Sequence, residues 1–479
     1  MAGILLTNTY FQHLDPKQER KQEPYPPLAT LYAAAVLREA GVDVRVHDTV
    51  FDRNTDAVKE AIRTQLPHTL VIYDDGFNYL TKMCLVNMRN ACFDMIRFAK
   101  AQGCRVIVSS SDATDHTKDY LSCGADVIII GEAEITLREL VLGELPLDAI
   151  LGIAVSRQGT EYYTAKRTVL SELDILPFPA WDLINLRPYQ EIWRSTKKYF
   201  SLNMTTTRGC PFKCNWCAKP IYGNRYHSRS PEHVVQEIAM LINQYQVEHF
   251  WFCDDIFGLK PGWIHKFSQL VQAQKLSFRF KIQCRADLLL DENNIADLAA
   301  SGCDEIWIGA ESGSQKILDA MDKGTTVAQI RTSTQIMKKH GIKPCFFLQF
   351  GYPGEEQADI QMTLDLVREC KPFDIGISIS YPLPGTKFYE RVREQLSAKQ
   401  NWNDSDELLL MYRGTFSPEY YKHLHRYVHK RFRTMQGWNG LLSWMGLPTG
   451  YWKMPLRRIV ALPYNTMMLL IYKFRLRTD

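Results

Sequence analysis

The sequence has no G-x-G-x-x-G stretch in the loops that follow its predicted strands, which argues against a dinucleotide fingerprint. Nor does it have an uninterrupted apolar run of the ~20 residues needed to cross a bilayer. The best candidate, Ile459 to Tyr472, is shorter and is broken by Pro463. The opening MAGILLTNTYFQHLD has neither a basic leader nor a small-residue cleavage site, so a cytoplasmic location is expected. Heptad arrays, low-complexity tracts and RNA-binding signatures are also missing, and no nucleic-acid partner is expected. Acidic residues are scarce in one place: from Tyr420 onward the only one is Asp479, while Lys and Arg recur. That tail reads either as a basic helical cap packed on the protein or as a peripheral contact with an anionic membrane surface.

What is present suits a globular chain, with 46% hydrophobic and 23% charged residues and a formal net charge of only +4. A length of 479 residues exceeds one ordinary core, so two or three domains are expected. Twelve cysteines in a chain without a secretory leader point to reduced thiols and metal chemistry, not to a disulfide framework.

Residues 1–150 alternate strand and helix signals. Strands are predicted at Ile4 to Thr7, Val42 to His47, Leu70 to Tyr73, Arg105 to Val108 and Val127 to Ile130. Helices between them stop at glycines such as Gly41 and Gly103. Five strands of this kind predict a doubly wound, flavodoxin-like parallel sheet, with ligands beyond the carboxyl ends of the strands. Residues 151–200, punctuated by Pro177, Pro179 and Pro188, read as a connector with a short strand pair near Ile153 and Glu161. A second series follows in residues 201–393, with strands at Leu202 to Thr205, His249 to Cys253, Arg279 to Cys284, Glu305 to Ile308, Cys345 to Phe350 and Asp374 to Ser380. Six βα units predict a partial, TIM-like (β/α)6 barrel with its chemistry at the strand carboxyl ends. Residues 394–479 read as a small, mostly helical region. Its Trp402, Tyr412, Trp438, Trp444 and Trp452 suit either a bulky or apolar substrate or simple helix packing.

Just after the first barrel strand comes TTTRGCPFKCNWCAKP, residues 205–220, with Cys210, Cys214 and Cys217 in C-x3-C-x2-C spacing. Thiolates suit iron–sulfur clusters or zinc. A four-iron cluster on three cysteines leaves one iron free for a substrate or cosubstrate. The zinc reading needs a fourth ligand, for which Cys253, Cys284 or His227 are candidates.

T-x-R-G-C-P-F-x-C-x-W-C resembles the cluster loop of the radical S-adenosylmethionine (SAM) superfamily. The likeness continues through FCDDIF, QCRAD, IGAESGSQKILDAMDKG, FLQFGYPGE and YPLPGT. It is to the subgroup carrying an N-terminal cobalamin (B12)-binding domain, which PPLATLYAAAVLREAGVDVRVHD and ADVIIIGEAEITLREL also resemble. The resemblance implies a 4Fe-4S cluster on Cys210, Cys214 and Cys217, its open iron chelated by SAM. Reductive cleavage of SAM would then give a 5′-deoxyadenosyl radical. Trp216, Arg285, Glu311, Ser312, Gly351 and Gly354 are the implied SAM contacts, with Arg285 pairing the carboxylate. Asp254 and Asp255 suit either substrate or helix capping. Ser109, Ser110, Gly131 and Glu132 are the implied cobalamin contacts, although D-x-H-x-x-G is missing and SSSDAT replaces the usual glycine-rich stretch. His116 is the nearest histidine, at the wrong spacing. The expected activity is cobalamin-dependent methyl transfer to a small molecule, fed by a donor such as flavodoxin or ferredoxin. Radical cyclisation or rearrangement, and a zinc-stabilised binding module, are the competing readings.

Overall fold

The computed structural model describes residues 3–219, 221–396, 399–447, 452 and 454–478. Asp479, the one acid of the basic tail, lies outside the described residues. Packing divides the chain into two units. Met1–Pro211, Ala218–Phe280 and Asn401–Glu407 form the first, and Phe212–Cys217, Lys281–Gln400 and Leu408–Asp479 the second.

The first unit opens with β1 (Ile4–Thr7), β2 (Val44–His47), β3 (Thr69–Tyr73), β4 (Arg105–Ser109) and β5 (Val127–Ile129). These pair in parallel in the order β2-β1-β3-β4-β5. Short all-apolar strands such as ILLT and VII are buried along their length, as sheets covered by helices on both faces require. The doubly wound sheet is therefore as expected. The strand pair expected in the connector is present as the hairpin β6 (Ile153–Arg157) and β7 (Thr160–Tyr163), and β6 also pairs antiparallel with β5, so the hairpin extends this sheet. Its inner half, Ile153 to Val155, is buried and covers what would otherwise be an open edge. Residues Asn401–Glu407 return to the same unit, where Val86 and Asn87 donate backbone bonds to Trp402 and Asn403.

Farther along come β8 (Ser201–Met204), β9 (Thr207–Arg208), β10 (His227–Ser228), β11 (His249–Phe252), β12 (Arg279–Cys284), β13 (Cys303–Glu311), β14 (Lys343–Phe350) and β15 (Asp374–Ile379). Apart from the antiparallel ribbon β9-β10, they form a sheet in sequential order β8-β11-β12-β13-β14-β15. Sequential order with helical crossovers is that of an open, partial barrel. A bulge between Gly309 and Glu311 ends β13. The described residues of the C-terminal region include the helices Pro418–Trp444, Leu456–Val460 and Leu462–Thr478. Among the described residues no helix is long and apolar enough to cross a membrane.

Candidate functional site

The cysteine loop leaves the short ribbon strand β9 and is shaped on its first-unit side by four devices. Asp254, at the end of β11, accepts the backbone N–H groups of Thr206 (2.7 Å) and Thr207 (2.8 Å) and the hydroxyls of Thr205 and Thr206. A carboxylate accepting four bonds is fully occupied. It fixes the TTT turn and is neither a helix cap nor free for substrate, while Asp255 pairs with Lys82 at 2.9 Å. Gly209, at φ 77°, is required sterically, because a Cβ there would lie 2.2 Å from the Arg225 carbonyl oxygen. Lys219 Nζ donates to the Cys210 carbonyl at 3.1 Å.

The fourth device is Arg208, which is buried against two carboxylates. It pairs with Glu132 and, at 2.7 Å, with Glu134. The rings of Tyr32, Phe77 and Tyr222 lie 5.8, 5.7 and 5.3 Å from the guanidinium. Glu132, one of the implied cobalamin contacts, is thus committed to Arg208 and to the Leu170 N–H.

On the second-unit side the loop is fastened at Asn215. Its backbone N–H donates to Met321 and its carbonyl accepts from Phe388. Its amide donates to Ala320 (2.8 Å) and Asp322 (3.1 Å) and accepts from the Tyr352 hydroxyl (2.7 Å). Cys214 and Cys217 are thereby held in a turn closed by the Cys217 N–H to the Cys214 carbonyl. Among the described residues no three His, Cys, Asp or Glu side chains converge as a metal site, so the loop supplies thiols in sequence but not in a closed cage.

Two cations face this turn. Arg285 spends its fork on Asp287 (3.0 and 3.1 Å), so that pairing, not an incoming carboxylate, takes its bidentate face. Its remaining nitrogen donates to the Lys323 carbonyl at 2.8 Å and lies 3.9 Å from Cys214 Sγ, while the guanidinium stacks 3.7 Å from Phe212. Lys323 Nζ bonds Glu311 at 2.8 Å and sits 5.9 Å from the Trp216 ring centroid. Burial pushes the Lys323 ammonium down, but the charges of Glu311 and Cys214 outweigh it and hold its pKa above the usual lysine value. Glu311 adopts φ 54° at the bulge, and Gly309 makes room for the pair. A Cβ at Gly309 would lie 2.5 Å from Lys323 Nζ and 2.7 Å from Glu311 Oε1. Among the described residues the buried indole N–H of Trp216 has no hydrogen-bond partner.

The other implied SAM contacts are placed differently. Ser312 is fully buried, bonding Thr363 at 3.1 Å and capping Ser314. Gly351, at φ 84°, donates to Glu355 (2.6 Å) and accepts from the Tyr412 hydroxyl. Gly354, also at φ 84°, has nothing within 4 Å of a would-be Cβ and serves the turn alone. Burial pushes the Glu355 carboxyl up to about 8.

At the carboxyl ends of the first sheet, the Ser109 carbonyl accepts from Asp74 and the Ser110 hydroxyl caps the helix Ser111–Asp115. Gly131 has φ 85°, with the Ile221 carbonyl 3.6 Å from a would-be Cβ. Among the described residues Asn8 Nδ2, Ser111 Oγ and His116 Nε2 are buried there without hydrogen-bond partners, His116 Nε2 lying 3.8 Å from Asp112 Oδ1. Of the alternative metal ligands, Cys253 is buried and its thiol donates to the Met204 carbonyl. Burial raises the Cys284 thiol to about 12, and among the described residues His227 Nε2 has no hydrogen-bond partner. Of the C-terminal aromatics, Trp402 and Tyr412 are buried, whereas Trp438 and Trp444 are exposed.

Residues 204–367, which contain the cysteine loop and β11 to β14, match the family described as the radical SAM superfamily. The chain is 27% identical over 282 residues to an uncharacterized methyltransferase of Pyrococcus horikoshii, covering 58% of this chain and 60% of that protein. It thus spans about three-fifths of that relative. Its fold is similar to that of the radical SAM methyltransferase TsrM from Kitasatospora setae, solved with cobalamin and a 4Fe-4S cluster bound. The TM-score is 0.67 at 18% identity, over 82% of this chain and 78% of that one. OxsB, a cobalamin-dependent SAM radical enzyme solved with aqua-cobalamin, gives 0.73 at 17% identity, over 99% of this chain and 72% of that one.

Lys323, Asn215 and Arg208 were not singled out from the sequence. Each lies inside or beside a recognised motif, but the partners of Arg208 and Asn215 are far along the chain, as with Arg208 and Glu132, 76 residues apart, whereas Lys323 meets Glu311 of its own motif.

Proposed function

We propose that this chain is a radical SAM enzyme that methylates an unactivated carbon of a small molecule, using a 4Fe-4S cluster on Cys210, Cys214 and Cys217, SAM and cobalamin. The observation that carries this reading is the fastening of Asn215, which holds the Cys214–Cys217 turn by five hydrogen bonds beneath the Arg285 and Lys323 cations. Cations beside thiolates favour their deprotonated, ligating form.

The residues present fit the groups. The buried, unpartnered Trp216 N–H and the Lys323–Glu311 pair in the space left by Gly309 supply a donor and two charges suited to the polar ends of SAM. At the first sheet, the unpartnered atoms of Asn8, Ser111 and His116 are polar groups that a corrin's amide side chains can satisfy. Ser110 and Glu132 are already committed within the protein, so they shape that edge without donating to a ligand. When bound, the cluster and SAM supply a carbon radical on receipt of one electron, and cobalamin supplies the methyl carrier. The protein's own part is to orient these groups and to keep water and oxygen away. A ferredoxin- or flavodoxin-type protein is the fitting electron donor.

Anaerobic reconstitution tests the reading. It predicts iron and sulfide near four per chain and, with SAM and reductant, both 5′-deoxyadenosine and S-adenosylhomocysteine. Deoxyadenosine alone would move the reading to cyclisation or rearrangement. Stoichiometric zinc without sulfide would replace it with a zinc-stabilised module.

A further inference from the structure

The helix Pro418–Trp444 is anchored through one face. Tyr420, Tyr421, Leu424, Val428 and Phe432 are buried, Gln436 donates to the Phe373 carbonyl, and Arg433 pairs with Asp374 at 2.9 Å. The two following helices pack against it at Gly437 and Gly440. A Cβ at Gly437 would lie 3.0 Å from the Arg458 carbonyl oxygen, and one at Gly440 3.1 Å from Ile459. Leu462 and Asn465 are the buried side of the last helix.

Its other side is apolar and uncovered. Tyr464, Met467, Leu470 and Phe474 recur at three- and four-residue spacing, which places them along one stripe, and are 54%, 53%, 62% and 69% exposed. Leu456 and Val460 are exposed just before it. At the end of the preceding helix, Trp444 and Met445 are exposed too. Scattered apolar residues on a surface need no explanation, but a sustained stripe does. The same stretch, residues 420–478, contains eleven Lys and Arg and no Asp or Glu. Lys430 Nζ lies 4.3 Å from the Tyr464 ring, so at least one of these charges borders the stripe.

We infer that this C-terminal face docks on the surface of an anionic lipid bilayer. Its apolar stripe would sit at the headgroup–acyl boundary, with the Lys and Arg side chains reaching the lipid phosphates. The charge pattern selects this occupant. A second copy of the same face would bring like charges together, the exposed Arg457, Lys473, Arg475 and Arg477 among them, which disfavours self-association. A spanning segment is ruled out by the helix lengths and hydropathy of the described residues. This inference does not depend on the radical chemistry, and its test needs no cofactor.

The test is co-sedimentation of the full chain with vesicles of phosphatidylcholine alone, or mixed with phosphatidylglycerol, at low and high salt. The expected result is binding to the anionic vesicles, weakened by salt, with a blue shift of tryptophan emission from the exposed Trp444. The double variant Met467→Glu/Phe474→Glu should lower affinity about tenfold or more. Lys473→Gln/Arg475→Gln/Arg477→Gln should remove most of the salt dependence. Both sets of positions are exposed, so unchanged circular dichroism and elution volume are expected and confirm folding. Failure to bind anionic vesicles, or equal binding by folded Met467→Glu/Phe474→Glu, overturns the inference. So does a concentration-dependent dimer that Phe474→Glu dissociates without any vesicle binding.

Discussion

Replacing Arg208 by Met is the sharpest perturbation of the loop that does not touch a cysteine. Arg208, Glu132 and Glu134 side chains are 3%, 3% and 1% exposed, so the pairings lie outside the reach of solvent screening. Removing one partner of a buried ion pair costs about 3–5 kcal/mol, because the other is left charged and unpaired. Here two carboxylates are stranded together, and the contacts of the guanidinium with Tyr32, Phe77 and Tyr222 are lost as well, worth about 0.5–2 kcal/mol. A total of roughly 4–6 kcal/mol is comparable to the whole stability of many domains. The pH dependence has a definite sign. Burial already raises the Glu132 pKa against the opposing pull of Arg208, and without the cation it rises further. A carboxyl whose folded pKa exceeds its unfolded one favours folding most at low pH and loses that contribution as pH rises. The Arg208→Met penalty should therefore be smallest near about pH 5 and largest near about pH 8. Glu132→Gln/Glu134→Gln in the same chain should recover most of it. Denaturant unfolding followed by circular dichroism across that range is the assay. A penalty below about 1 kcal/mol, or one indifferent to pH, would refute the buried-triad reasoning.

Gly309→Ala should displace the Lys323–Glu311 pair, costing about 1–3 kcal/mol in stability and weakening SAM binding measured by calorimetry on the reconstituted protein. Asn215→Ala removes the bonds to Ala320, Asp322 and Tyr352 and should lower the iron retained after desalting, while leaving the far-ultraviolet spectrum unchanged. Glu355→Gln should flatten the stability profile. With its pKa at about 8 against an ordinary value of 4.5, the native carboxyl holds a proton that the unfolded chain releases. Wild-type stability therefore falls by roughly 3–5 kcal/mol as pH rises from below about 4.5 to about 8, and the amide has no such fall. Parallel wild-type and Glu355→Gln unfolding profiles would rule this out.

The elements of the fold were legible because their signals are local. Strands such as Ile4–Thr7 and Arg279–Cys284 are apolar or alternating runs bounded by turn residues, and the observed limits coincide with the expected ones. The cysteine spacing was equally plain. What escaped was pairing across long separations. Nothing near Ile153 says that its hairpin closes the first sheet, and nothing near Arg208 says that Glu132 and Glu134 of the first sheet take its guanidinium. Asp254 reads as a free carboxylate at a strand end until the three threonines of the loop are seen to surround it. Burial and ion pairing decide these roles, and both depend on which distant segments fold together.

The most direct measurement is electron paramagnetic resonance of the dithionite-reduced, anaerobically reconstituted chain, with and without SAM. A cluster on Cys210, Cys214 and Cys217 with one iron free predicts a 4Fe-4S signal that changes when SAM is added, and its loss in Cys214→Ala. A signal indifferent to SAM, or retained in Cys214→Ala, would contradict it.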